Sequence, residues 1–146
     1  MESLEDIRWQ QRFDSYQKAL KKIVEVVDSH SDFNELSDLE KEGLIQRFEY
    51  TFELSWKTLQ DLLKYKGYID IKGPNMVLQK SLEDGYIQDH DGWRAMKKAR
   101  EITSHTYNEG DAGEIVANIF GMYAPLFKDL ESVLLKECQK QSNNLF

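Results

Sequence analysis

Residues 100–107, "REITSHTY", place an arginine, a histidine and a tyrosine within eight positions. An imidazole accepts and returns protons near neutral pH. A guanidinium holds a phosphate through parallel hydrogen bonds and stabilises charge that develops on it. Those two groups suffice for metal-free RNA cleavage, in which a 2′-hydroxyl attacks the neighbouring phosphate. Tyr107 adds a phenol, either an acceptor of a transferred nucleotidyl group or a platform for a base. The competing reading is structural. Arg and His near a helix end stabilise its C-terminal carbonyls, and Ser104, Thr106 and Asn108 are good turn formers.

Spacing bears on the choice. On an ideal helix Arg100 and His105 diverge by about 140°. They converge on one phosphate only with a distortion, a helix end, or help from a second subunit. Across a two-fold axis, two copies of the helix could line one cleft with two Arg and two His. The segment before the motif, "WRAMKKAR", carries Arg94, Lys97, Lys98 and Arg100 and no acid. It reads as a solvated face or as one wall of a cationic groove. His30, His90 and His105 lack metal-ligand spacing. The pairs Glu49 and Glu53, or Asp111 and Glu114, read as helix-surface and capping carboxylates.

The elements that must position these groups are helical throughout. Phe13, Tyr16, Leu20, Ile23, Val24 and Val27 mark a first helix over about 4–29. Leu44, Ile45, Phe48, Phe52, Trp56, Leu59, Leu62 and Leu63 mark a longer second one, stopped near Gly67. "GPNMVLQKSLEDG" predicts a short helix with Pro74 in its first turn and Gly85 just past its end. A fourth helix is expected over about Gly92 to Thr106. It has a small-residue stripe (Ala95, Ala99, Ile102, Thr106) suited to packing inside the bundle, and a second stripe (Trp93, Met96, Arg100, Tyr107) suited to another partner. Two non-polar sides on one helix point to a dimer. A fifth helix is expected from Asp111, capped with Glu114, along Ile115, Ile119, Met122, Leu126, Leu130 and Val133. Pro125 should kink or break it.

The 146 residues suit one domain, 1–146, with a frayed tail at 139–146. The fold class is all-α: an up-and-down four-helix bundle with one extra short helix. Cys138 is the sole cysteine, which excludes an internal disulfide framework. The net charge of −7 argues against a surface coated with nucleic-acid-binding patches, though not against a local cationic groove. The start of the sequence shows no signal-peptide pattern and no stretch has the apolar length of a membrane span, so a cytoplasmic location is expected.

Arg100, His105 and Tyr107 match the Arg-x4-His-x-Tyr motif of HepT-like HEPN-domain proteins, also described as nucleotidyltransferase substrate-binding subunits. "QRFEYTFELSWKTLQDLL" (46–63), "GPNMVLQKSLEDGYI" (73–87) and "RFDSYQKAL" (12–20) resemble the family's helices in order and spacing. The resemblance covers about residues 8 to 135. It implies a helical-bundle homodimer whose Arg and His face one cleft. It also implies a separately encoded minimal nucleotidyltransferase as partner, and RNA or a nucleotide as substrate. By position, Arg100 would stabilise the phosphate, His105 would be the general acid/base, and Tyr107 would be the site of adenylylation. No cofactor is implied. Where many members place Asn or Asp after the motif arginine, this chain has Glu101, a carboxylate on a longer arm. Glu101 and Ser104 are expected to support the site. The resemblance implies a metal-independent ribonuclease toxin neutralised by its partner. The alternative is a non-catalytic subunit that binds nucleotide or substrate for the partner enzyme.

Overall fold

The computed structural model describes residues 3–143, with side chains through Lys140. Among the described residues there is no strand. The helices are α1 (Leu4–Ser29), α2 (Asp38–Tyr65), α3 (Gly73–Glu83), α4 (His90–Thr103), α5 (Glu109–Asn118) and α6 (Ala124–Asn143). A single 3-10 turn, Phe33–Glu35, lies between α1 and α2, and a π-helical turn, Ile119–Tyr123, joins α5 to α6. Because that turn keeps the chain helical from Glu109 to Asn143, the bundle has four long rods plus the short α3. No described helix is long and apolar enough to cross a membrane.

Local chemistry explains most boundaries. Ser3 caps α1 by accepting from the Asp6 N–H. A full capping box opens α2, Ser37 with Glu40. Pro74 sits in the first turn of α3, and Gly85 follows it at φ 83°, a conformation that suits glycine. The cap of α5 lies three residues earlier than the expected Asp111. Asn108 Oδ1 accepts from the Asp111 N–H at 2.8 Å, and Asp111 closes the box as the third helical residue. Asn-x-x-Asp and Asp-x-x-Glu are overlapping signals here, and the first one met by the chain starts the helix.

Pro125 neither breaks nor ends the last rod. A proline removes one N–H from the helical ladder and crowds the carbonyl four residues back. The wide turn absorbs this, with the Ala124 N–H reaching Ile119 O. It also rotates the remainder of the rod. Tyr123, Phe127, Leu130 and Leu134 face the core, while Met122 of the expected stripe is 38% exposed. Residues 139–143 continue α6, and 144–146 of the expected tail lie outside the described residues.

The core collects one stripe from each rod. Trp9, Phe13, Tyr16, Leu20 and Ile23 of α1 meet Leu44, Ile45, Phe48, Phe52 and Leu59 of α2, and Trp93 and Met96 of α4 pack in from the side. At its centre Phe48 stacks on Tyr123 at 5.1 Å between centroids. The buried Tyr16 hydroxyl donates to Phe127 O at 2.6 Å and so ties α1 to α6. α2 touches α1, α3, α4 and α5, which makes it the frame for whatever α4 presents.

Candidate functional site

α4 enters the bundle at Asp89, whose carboxylate accepts from the Gly92 N–H at 2.9 Å. Gly92 is needed there. An added Cβ would lie 2.6 Å from Asp89 Oδ2 and 2.7 Å from Leu126 Cδ1. The buried face of the helix is Trp93, Met96, Ala99 and Thr103. This corrects the expected assignment of its stripes. The Trp and Met side packs into the bundle, because only those side chains are long enough to fill the space toward Phe52 and Phe127. On the other stripe only Ala99 is buried. Ala95 is half-buried and Ile102 is 38% exposed; they line an open groove with Lys98 and with Asp111, Glu114 and Asn118 of α5.

Arg100 projects from α4 toward α2. Its Nη1 donates to Glu49 Oε2 at 2.9 Å, and its Nε lies 3.5 Å from Glu53 Oε1. Nη2 makes no polar contact with the protein among the described residues. The arginine side chain is 26% exposed, and the two glutamates are 24% and 35% exposed. Thr103 Oγ1 sits 3.1 Å from the same Glu49 oxygen and 3.0 Å from Arg100 O. Glu49 and Glu53 are therefore positioning carboxylates, not ordinary surface residues. They stand one helical turn apart on the flank of α2 that faces α4. Their spacing was visible in the sequence, but their direction was not.

The helix ends at Thr103. Ser104 is the C-cap, and its hydroxyl donates to Glu101 O at 2.6 Å. Thr103 and Ser104 both offer hydroxyls to carbonyls of the last turn, a local alternative to continuing the helix. His105 thus lies beyond the helix, and the 140° offset of an unbroken helix does not apply to it. Its N–H donates to Ile102 O at 3.2 Å, and the residue is exposed, with no side-chain partner among the described residues.

Glu101 takes no part in holding Arg100. It is exposed and pairs with Lys97 one turn back, and this lysine together with Lys98 holds its carboxyl below the usual range. The arginine's acceptors come from α2 instead, so the longer arm of Glu101 does not reach it. The basic run is partly neutralised in this way, with Lys97 on Glu101 and Arg100 on Glu49, while Arg94 and Lys98 remain exposed.

Tyr107 is half-buried at the edge of the core. It borders a groove of about 320 Å³ lined by Asp38, Lys41 and Glu42 at the start of α2 and by Asn108 and Glu109 at the start of α5. Burial, then the charges of Glu49 and Glu42, push its phenol above the usual tyrosine range. The phenol is therefore neutral at physiological pH, and any reaction in which its oxygen attacks a phosphate needs an external base. Since the folded-state value is raised, the contribution of neutral Tyr107 to stability is complete below the ordinary tyrosine pKa and is lost as pH rises through the raised one. Glu49→Gln is expected to move the Tyr107 ionisation back down. The check is the phenolate absorbance on titration, with a Tyr107→Phe protein subtracted; an unmoved transition would mean that Glu49 does not act on the phenol.

Glu49 thus links the arginine and the tyrosine, with the histidine on the short segment between them. A model of the family described as "Nucleotidyltransferase substrate binding protein like" matches residues 11–136. The chain belongs to that family. A Haemophilus influenzae protein named "Probable ribonuclease HepT" is 33% identical over 105 residues, 69% of this chain and 68% of that one. A crystal structure from Thermus thermophilus has 34% identity and a TM-score of 0.69, covering 79% of this chain and 94% of that one. A second structure, from Haemophilus influenzae and titled as revealing the fold of a substrate binding domain of a nucleotidyltransferase, has 28% identity and a TM-score of 0.73 over 84% and 98% of the two chains. The HepT-like resemblance and the helical-bundle fold both stand on these matches.

Proposed function

We propose that this chain is the RNA-cleaving member of a pair with a separately encoded nucleotidyltransferase, a HEPN-type ribonuclease toxin that works without a metal ion. One observation carries the reading. Arg100 donates to Glu49 through Nη1 and has Glu53 beside its Nε, which leaves its Nη2 edge for a phosphate, and an exposed His105, with no side-chain partner among the described residues, follows the same helix end. The name of the HepT relative supports it.

In the proposed reaction His105 takes the proton of a ribose 2′-hydroxyl. The 2′-oxygen then bonds to the adjacent phosphorus, and the bond from phosphorus to the 5′-oxygen breaks. The leaving oxygen takes a proton from an imidazolium, supplied by the second His105 where two copies of the chain share one cleft. Arg100 neutralises the charge that builds on the non-bridging oxygens, an interaction strongest at the transition state. A guanidinium already held by its hydrogen bond to Glu49 needs less ordering when the substrate arrives. Tyr107, with its neutral phenol, is the proposed acceptor of AMP from the partner, whose active site would supply the base.

The test is the chemistry of the ends. RNA incubated with the purified chain in EDTA should yield 2′,3′-cyclic phosphate and 5′-hydroxyl termini. Intact RNA, together with nucleotide binding that Arg100→Ala weakens, would instead assign the chain to the non-catalytic binding role.

A further inference from the structure

A second groove lies away from the Arg100–Glu49 pair, on the opposite flank of α2, where α2 packs along α1. It measures about 490 Å³ and is lined by Lys18 and Lys22 of α1 and by Gly43, Gln46, Arg47 and Tyr50 of α2, among others. Lys18, Lys22 and Arg47 are exposed, and no carboxylate among the described residues lines the groove. That is unusual on a chain of net charge −7. Asp14 does meet Lys18 at 3.0 Å from outside the lining, but both side chains are more than half exposed, 75% and 63%, and such a pair is easily exchanged for another anion.

Two further features do nothing for the packing. Tyr50 is 61% exposed on the solvent side of α2, turned away from the buried Phe48 and Phe52 two residues to either side of it. Gly43 stands inside α2, where glycine costs about 1 kcal/mol relative to alanine, yet a Cβ there would meet nothing within 4 Å. No neighbour demands a glycine at that position. What its missing side chain does is open the groove floor between the lysines and Tyr50.

We propose that this groove is a binding track for single-stranded RNA, with Lys18, Lys22 and Arg47 on phosphates and Tyr50 stacked on a base. Cations spaced along a groove and a flat exposed aromatic are the two components of sequence-tolerant single-strand binding. The track deepens the proposed function, and rests on it for the identity of the ligand. Tyr50 directly follows Glu49, so the groove stands at the same height on α2 as Arg100. A strand held in it crosses the ridge of α2, a helix about 10 Å wide, to reach the arginine. The track would retain a long RNA that the small reacting site cannot hold alone.

The probe is a fluorescent single-stranded oligonucleotide with 2′-O-methyl sugars, which binds but cannot be cleaved by its own 2′-oxygen. Binding is followed by anisotropy over a range of salt. Lys18→Glu combined with Lys22→Glu should weaken binding by about tenfold or more, and should flatten the dependence of log affinity on log salt by about 0.7 for each phosphate that is no longer neutralised. This pair leaves in place the bond from Arg47 Nη1 to Lys22 O (3.1 Å), so the packing of α1 on α2 is kept, and circular dichroism should show unchanged helicity. Tyr50→Ala should weaken binding by about tenfold with the salt slope unchanged. Wild-type affinity and slope in the lysine variant would overturn the proposal, as would failure of the unaltered chain to bind. So would RNA binding that persists while the variant loses a nucleotidyltransferase partner from a column, since the groove would then be a protein-docking surface. A chain that binds through the groove yet leaves natural RNA intact would sustain the track and remove the cleavage reading.

Discussion

Arg100→Ala is expected to lower RNA cleavage by about 10²–10³-fold, the usual cost of removing one donor that stabilises transition-state charge. It should also cost about 1 kcal/mol of stability, because Glu49 and Glu53 then face each other one turn apart without their shared cation. The two effects separate. Arg100→Lys keeps the charge but not the planar fork, so it should recover the stability and little of the rate. Glu49→Ala keeps the guanidinium and removes its firmest anchor, leaving only the longer contact of 3.5 Å to Glu53. It should lower the cleavage rate about tenfold with less effect on the substrate concentration at half-saturation, since Glu49 acts through the position of Arg100. Steady-state cleavage and urea unfolding of the three proteins give the comparison. A fully active Arg100→Ala protein would mean that Arg100 meets no phosphate.

Phe127→Ala should carry the largest stability cost in the molecule, about 3–5 kcal/mol. The ring is fully buried, and its centroid lies 6.2 Å from those of Tyr16 and Phe48 and 6.1 Å from that of Trp93. It thus joins α6 to α1, α2 and α4 at once. Alanine leaves the carbonyl that accepts from Tyr16, so the loss is one of packing rather than of a hydrogen bond. The thermal midpoint should fall by roughly 10–16 °C, using the scaling for a chain of this size. A loss below about 1 kcal/mol would show that the four rods do not meet through this ring. The effect also reaches function, because Trp93, packed on Phe127, sets the position of α4 and therefore of Arg100.

These positions show what could be read from the sequence and what could not. The apolar stripe of α1 places a helix over about 4–29, and Leu4–Ser29 agrees with it, with Ser3 capping the start. The last rod was harder. A local rule predicts that Pro125 disturbs a helix, but whether the chain breaks or inserts a wide turn depends on what the downstream residues bury. Here Phe127, Leu130 and Leu134 bury enough to keep the rod continuous. The two sides of α4 are exchanged relative to the pattern its residues suggest, since Ala and Ile look as suited to a core as Trp and Met until the space to be filled is known.

The site was legible as residue types and less so as geometry. Arg100, His105 and Tyr107 stood out by type and motif. The helix end that frees His105 from the 140° offset comes from hydroxyl–carbonyl bonds at Thr103 and Ser104, which compete closely with one more helical turn. Glu101 drew attention by adjacency, whereas the acceptors of Arg100 sit 51 and 47 residues away in sequence on another helix. Long-range ion pairs of this kind leave no local signal. The only clue was two carboxylates four residues apart on α2, a pattern common on helix surfaces.

The proposed mechanism turns on His105 moving the proton in a cleavage that requires no metal. A comparison of unaltered and His105→Ala proteins on the same RNA in excess EDTA, with circular dichroism on both, addresses that step directly. Because His105 is exposed and lies outside the helix, the variant should keep the helical spectrum. The mechanism predicts cleavage to 2′,3′-cyclic phosphate ends by the unaltered protein and cleavage at background by the variant. Equal cleavage by the two proteins, or none by either, would contradict it.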